Sequence, residues 1–215
     1  MKNNKRDGQG VLESIYGNRY VGEFKQGKKH GKGEYKFASG GRYIGDWQED
    51  KEHGKGEDIL NNGDRYVGEY KQGNKHGKGE FKYADGGRYI GDWQEDKEHG
   101  KGEGILNNGD RYVGEYKQGK KHGKGVYTWP NGNKYIGEFQ EGKEHGKGEF
   151  IFNSGARYVG EFKQGKYHGK GELIWPDGTR YIGEFQEDKQ HGKGKKIWND
   201  GKTYDGNWEA DIKSG

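Results

Sequence analysis

The sequence predicts an all-β protein built as a single-layer antiparallel meander of stacked β-hairpins with a 23-residue period. Three observations carry that expectation. The tripeptide Tyr-x-Gly recurs at Tyr20, Tyr43, Tyr66, Tyr89, Tyr112, Tyr135, Tyr158, Tyr181 and Tyr204 without an insertion or deletion, which marks a repeat array. Between these tyrosines, short runs alternate with period 2 and are broken by Gly, Asn and Asp clusters, as strands and reversals are. The composition supplies the third: 45 of 215 residues are Gly and 14% are aromatic, while Leu, Ile, Val and Phe together number only 29. That is below the ~20% expected of a conventional core. Disorder does not fit either, because it goes with strong net charge and few aromatics, whereas here the net charge is +4 and Tyr occurs 16 times.

Taken in order, residues 1–7 read as an N-terminal tail and residues 8–209 as one continuous array. Residues 8–19 are a truncated unit, with Gly8 and Gly10 as its remnant. Eight full units run from residue 20, residues 204–209 form a final half unit, and residues 210–215 are a C-terminal tail. Each unit reads as a seven-residue run, a Gly-rich turn, a six-residue run containing the end of His-Gly-Lys-Gly, and a second turn such as Asn62-Gly63 or Asp177-Gly178. Two strands and two reversals make one hairpin. In the first run Tyr, Gly and the following aromatic share one face, as in Tyr20, Gly22 and Phe24, and Val or Ile, Glu or Asp, and Lys or Gln share the other. In the second run Gly33, Tyr35 and Phe37 and their counterparts share the aromatic face. Gly on that face lets a ring lie over bare backbone, and Gly in the turns supplies positive φ.

A longer period of 46 overlays the first. Units that begin Tyr-Val carry Lys-Gln-Gly before the His, and units that begin Tyr-Ile carry Gln-Glu-Asp or Gln-Glu-Gly. Assigned to the turns, Lys25, Lys28, Lys29 and Lys32 alternate with Glu49, Asp50, Glu52 and their neighbours, so adjacent turns attract weakly.

The unit Tyr-x-Gly-x-aromatic, then Gly-x-x-His-Gly-x-Gly, then x-x-Gly-x-x-Tyr resembles the MORN repeat (membrane occupation and recognition nexus). Tyr112-Val113-Gly114-Glu115-Tyr116 with Gly119-Lys120-Lys121-His122-Gly123-Lys124-Gly125 is one example, and the match covers residues 8 to 208. Departures are few: Asp50, Asp96 and Asp188 replace a turn Gly, and Asp58, Gly104 and Lys196 replace a second-strand apolar residue. The resemblance implies a twisted ribbon with a grooved aromatic face, not catalytic by itself. Such arrays accompany enzymes in some proteins, join membranes in others, and stand alone as scaffolds in cilia and the cytoskeleton. With only short tails outside the array, a stand-alone noncatalytic scaffold is expected here, in the cytoplasm and in a ciliary, axonemal or cortical cytoskeletal assembly.

Other chemistries fit poorly. No stretch approaches the ~20 apolar residues of a membrane span, and the N-terminus lacks an apolar signal segment. Without Cys there is no thiol catalysis or disulfide. Interspersed charges and a small net charge argue against nucleic acid. The eight histidines stand one per hairpin, about 9–10 Å apart, too far to share zinc, whose Zn–N bonds are ~2.0–2.1 Å. They are read as structural, and neither a metal nor a cofactor is expected. The Gly-x-Gly pairs lack the helix that a phosphate loop requires.

Three candidate surfaces follow. Trp129, Trp175, Trp198 and Trp208 are candidate contacts for a protein partner, since one layer leaves part of its apolar face open. Lys32, Lys78, Lys124 and Lys170 are the candidate contacts for the alternative reading, a peripheral membrane adaptor binding anionic phospholipid. Acid rows around them are expected to compensate the charge. Tyr204, Trp208 and Ile212 mark a candidate self-association edge, because a half unit would leave unpaired strand groups. A homodimer joined tail to tail through residues 197–212 is the corresponding expectation.

Overall fold

A computed structural model describes residues 5–214. It comprises two compact units, one ending at Asn107 and one beginning at Asn108. The first holds β1 (Gly8–Glu13), β2 (Arg19–Lys25), β3 (Lys28–Lys36), β4 (Arg42–Gln48), β5 (Lys51–Ile59), β6 (Arg65–Lys71), β7 (Asn74–Lys82), β8 (Arg88–Gln94) and β9 (Lys97–Ile105). The second holds β10 (Arg111–Lys117), β11 (Lys120–Thr128), β12 (Lys134–Gln140), β13 (Lys143–Ile151), β14 (Arg157–Lys163), β15 (Lys166–Ile174), β16 (Arg180–Gln186), β17 (Lys189–Ile197), β18 (Thr203–Glu209) and β19 (Ile212–Ser214). Within each unit every strand pairs antiparallel with the next, so the predicted meander of hairpins is what forms. No helix occurs among the described residues.

The first strand of each repeat has the expected seven residues, but the second has nine rather than six. His-Gly-Lys-Gly therefore lies inside the strand, and the turn shrinks to a pair such as Gln26-Gly27. A bulge makes this fit: Gly22 pairs with Gly33 but Glu23 pairs with His30, so Gly31 and Lys32 are extra on their strand. Bulges leave amides without a ladder partner, and the acid row supplies one. The Glu23 carboxylate accepts the Lys32 amide at 3.0 Å, Asp46 that of Lys55 at 2.9 Å and Glu115 that of Lys124 at 3.2 Å. The bulge Gly31 has φ +57°, where a side chain would be strained.

The core is one row of rings per unit. Tyr20, Tyr43 and Tyr66 are buried in the first, Tyr135, Tyr158 and Tyr181 in the second. Each is met edge-on by the aromatic four residues later and by that of the next repeat, as Tyr20 is by Phe24 at 5.1 Å and Trp47 at 5.3 Å. Edge-to-face contacts suit the ring quadrupole. The phenol lies across a glycine pair. A methyl added at Gly22 would come within 2.5 Å of Gly33 Cα and 2.6 Å of Tyr20 Oη. The hydroxyl in turn donates to the backbone carbonyl three residues on, Tyr20 to Glu23 at 2.9 Å and so through Tyr181 to Glu184 at 3.0 Å. Burial pushes the Tyr20 and Tyr181 phenols up to about 12.

The C-terminus differs from the expected half unit. Chain beyond Glu209 turns back as β19, pairing Glu209 with Ile212, Trp208 with Lys213 and Asn207 with Ser214. At the other end, Arg6 and Asp7, expected in a tail, bond to the β2–β3 turn: Arg6 O accepts the Gly27 amide at 2.8 Å and Asp7 Oδ1 the Gln26 amide at 2.7 Å.

Candidate partner-binding face

The aromatic face offers half-buried rings contributed by the second strands and the turns that follow them. In the second unit Trp129, Trp175 and Trp198 are each partly exposed. Trp129 stands 4.5 Å from Tyr127 and 5.2 Å from Phe150 between centroids. In the first unit Phe37 and Tyr83 occupy the same place and are 39% and 40% exposed. The fourth predicted contact is corrected. Trp208 is buried at 4%, its ring edge-on to Tyr181 at 5.2 Å and its indole N–H donated to Gly194 O at 2.9 Å. It sits on a first strand, where rings form the core, and its backbone pairs with Lys213 of β19.

Sequence reasoning missed a row of polar residues on this same face. Arg6, Lys29, Glu52, Lys75 and Glu98 in the first unit, and Lys121, Glu144, Tyr167, Gln190 and Lys213 in the second, follow one another at 23-residue intervals. The sequence pattern places Lys29 and Glu52 in turns. Instead Lys29 stands opposite Phe24 and Glu52 opposite Trp47, because the bulge keeps the residue before His on the aromatic side. Lys29 Nζ lies 4.1 Å from the Trp47 centroid and 4.4 Å from Tyr35. Lys75 repeats this over Phe81 at 4.5 Å, Lys121 over Tyr127 at 4.0 Å and Lys213 over Trp198 at 4.4 Å. Cation–π attraction holds such ammonium groups against the rings. Burial lowers the pKa of Lys29, Lys75 and Lys121 and raises that of Glu52. The signal was present in the 46-residue alternation, which the turns only partly explain.

The opposite face carries the lysine row. Lys32 and Lys78 pair with Asp46 and Asp92 across their strands. Lys124 and Lys170 are exposed, and their backbone amides go to Glu115 and Glu161. Lys170 borders two shallow open depressions of about 500 and 550 Å³, each also lined by two acids, Glu149 and Glu161 in one and Glu172 and Glu184 in the other. The histidines are half-buried, and the Nδ1 atoms of His30, His53, His76, His99, His122, His145 and His168 have no hydrogen-bond partner among the described residues. Among the described residues no cluster of His, Asp and Glu could hold a metal, and no helix is long and apolar enough to cross a membrane. Of the candidate edge, Tyr204 is half-buried and Ile212 is 69% exposed, while Trp208 is core.

The MORN repeat profile matches nine consecutive segments, residues 1–17, 20–42, 43–65, 66–88, 89–111, 112–134, 135–157, 158–180 and 181–203. The chain belongs to the MORN-repeat family. That family is a repeat class without catalytic chemistry of its own. No curated protein sequence matches this MORN array. Among solved structures it is similar to the TCP domain of SAS-4 (dCPAP) of Drosophila melanogaster in complex with a proline-rich motif of Ana2 (dSTIL). Identity is 9% over 94% of this chain and 90% of that one, with a TM-score of 0.34. The TCP10c domain of Drosophila melanogaster Sas-4 gives 10% identity over 73% and 93%, with a TM-score of 0.41. The wild-type TCP10 domain of Danio rerio CPAP gives 12% over 92% and 94%, with a TM-score of 0.33. Overlap at this level leaves the functional reading to the chain's own surface.

Proposed function

We propose that this MORN array is a noncatalytic scaffold whose aromatic face binds an extended segment of a protein partner. One observation carries the reading: a partly exposed ring row, Trp129, Trp175 and Trp198, on the open side of a one-layer sheet whose core is formed by other rings. Contiguous exposed aromatic surface marks contact sites. A cytoplasmic setting in a cytoskeletal or ciliary assembly rests on the family resemblance. Phospholipid binding is the weaker reading, because Lys32 and Lys78 are neutralised across the strand and acids flank Lys170. Self-association draws support from the part of the β18 edge that β19 leaves unpaired, Thr203 to Gly206.

Capture with the full chain followed by crosslinking mass spectrometry tests the scaffold. Crosslinks from a partner should cluster around the tryptophans, and joint Trp129→Ala and Trp175→Ala replacement should abolish capture while Lys124→Glu and Lys170→Glu together leave it. Sedimentation with phosphatidylserine vesicles at physiological salt should show no retention. Vesicle binding lost in the two lysine variants would reverse the choice.

A further inference from the structure

Two places on the aromatic face of the first unit break the ring pattern, Gly104 and Asp58, and only Asp58 puts a charge there. Asp58 stands in β5 between Tyr43 and Tyr66, where the repeats on either side present Tyr35 and Phe81. Those rings lie 6.0 Å from Trp47 and 6.2 Å from Trp93. The residue left without such a neighbour is Tyr70. It is 7% exposed, and its hydroxyl oxygen is buried with no hydrogen-bond partner. Asp58 and Glu52 are both close enough to act on that phenol electrostatically. Neither carboxylate forms an ion pair among the described residues, and burial pushes both above the usual carboxylate range. Lys29 acts on Glu52 and Lys75 on Asp58 electrostatically, without an ion pair, and both ammonium groups are held over rings on either side.

Two half-buried carboxylates, an unpartnered phenol and aromatic walls together fit a flat, multiply donating cation. We propose that the gap at Asp58 is a subsite for an arginine side chain of the partner segment, with Asp58 and Glu52 accepting guanidinium N–H bonds and Tyr70 Oη accepting another. Arginine suits it better than lysine because a planar guanidinium can fork onto carboxylates and stack on rings at once. The flanking residues extend the rule. Successive repeats lie two strands apart, about 9–10 Å, and a partner segment in polyproline II conformation rises ~3.1 Å per residue with about three residues per turn, so one repeat spans about three partner residues and every third side chain faces the same way. With Lys29 one repeat before Glu52 and Lys75 one after, the preferred segment is acid-x-x-Arg-x-x-acid. That pattern reads the same in both directions, so docking polarity drops out.

This inference rests on the scaffold reading but is tested separately. The probe is a fluorescein-labelled nine-residue peptide with a central arginine, aspartates three residues to each side and serine elsewhere. Its controls have citrulline at the centre, or the charges exchanged. Fluorescence polarisation with the full chain should show the arginine peptide bound at least ~10-fold more tightly than either control. Asp58→Asn should remove that preference, and so should Asp58→Phe, which restores the ring found at Phe81. Resonances of Trp47 and Tyr70 should shift on titration. Equal affinity for arginine and citrulline peptides, or an Asp58→Asn protein that keeps its preference, would overturn the subsite. The same result beside intact tryptophan-dependent partner capture would leave the scaffold standing.

Discussion

At the scale of one residue, Tyr112 does three things: it fills the core, covers the Gly114–Gly125 pair and donates to Glu115 O at 2.9 Å. Truncation to Ala removes all of these and should cost about 3–5 kcal/mol. Tyr112→Phe loses only the hydrogen bond, about 1 kcal/mol, and Lys124→Ala should stay within the ~0.5 kcal/mol of surface changes. Urea melts would expose a wrong assignment of faces if Lys124→Ala were the most damaging of the three. Asp58 illustrates the opposite case, a residue whose charge burdens the fold. Its carboxyl is raised by burial, so the stability it contributes is present below the unfolded pKa and is lost as pH rises through the folded one. Asp58→Asn should therefore raise Tm by a few degrees at pH ~7, with the gain vanishing by pH ~3, below the ordinary carboxylate pKa. A gain that grew toward acid pH would refute this.

At the scale of the element, the turns explain why Asp replaces Gly in three of the four hairpins that begin Tyr-Ile, at Asp50, Asp96 and Asp188 but not Gly142. Glu95 and Asp96 both have positive φ, 48° and 64°, a conformation that strains side-chain-bearing residues. Asp96 compensates by bonding to the previous hairpin, Oδ1 accepting the Lys75 amide at 2.8 Å while its own amide donates to Lys75 O at 3.2 Å. Asp50 does the same for Lys29 and Asp188 for Tyr167. The substitution is plain in the sequence, but its purpose is not, because the bonded partner lies 21 residues away and is set by a register that the bulge alters. Asp96→Ala keeps the strain and loses the bond, costing about 1–2 kcal/mol, whereas Asp96→Gly relieves the strain as it loses the bond and should cost less. Urea melts of the two variants, ranked the other way, would mean that the bond alone matters.

At the scale of the whole molecule, the hairpin array, the face assignment and the pairing of Tyr rings with glycines were legible, since each follows from the 23-residue spacing and period 2. The polar row and β19 were not. The polar row depends on a second strand that runs through a two-residue bulge and keeps Lys29 on the aromatic side, and β19 is a three-residue strand that carries none of the repeat's motif. The same spacing carried past Trp208 places Asp211 at 23 residues from Asp188, and Lys213 at 23 from Gln190. Asp211 Oδ1 accepts the Gln190 amide at 2.9 Å, so three strand residues suffice to close a hairpin that lacks His-Gly-Lys-Gly. This changes what the C-terminus should do. With β19 in place, residues 207–209 of β18 are paired and only Thr203 to Gly206 present free edge groups. Removing residues 210–215 would unpair the whole outer edge of β18, and open edges recruit strands. The truncated chain should therefore self-associate more strongly than the full chain at equal concentration, with light scattering as the readout. If truncation instead dissolved an existing dimer, the β19 segment itself would be the joining surface; if neither chain associated, the edge would be inert.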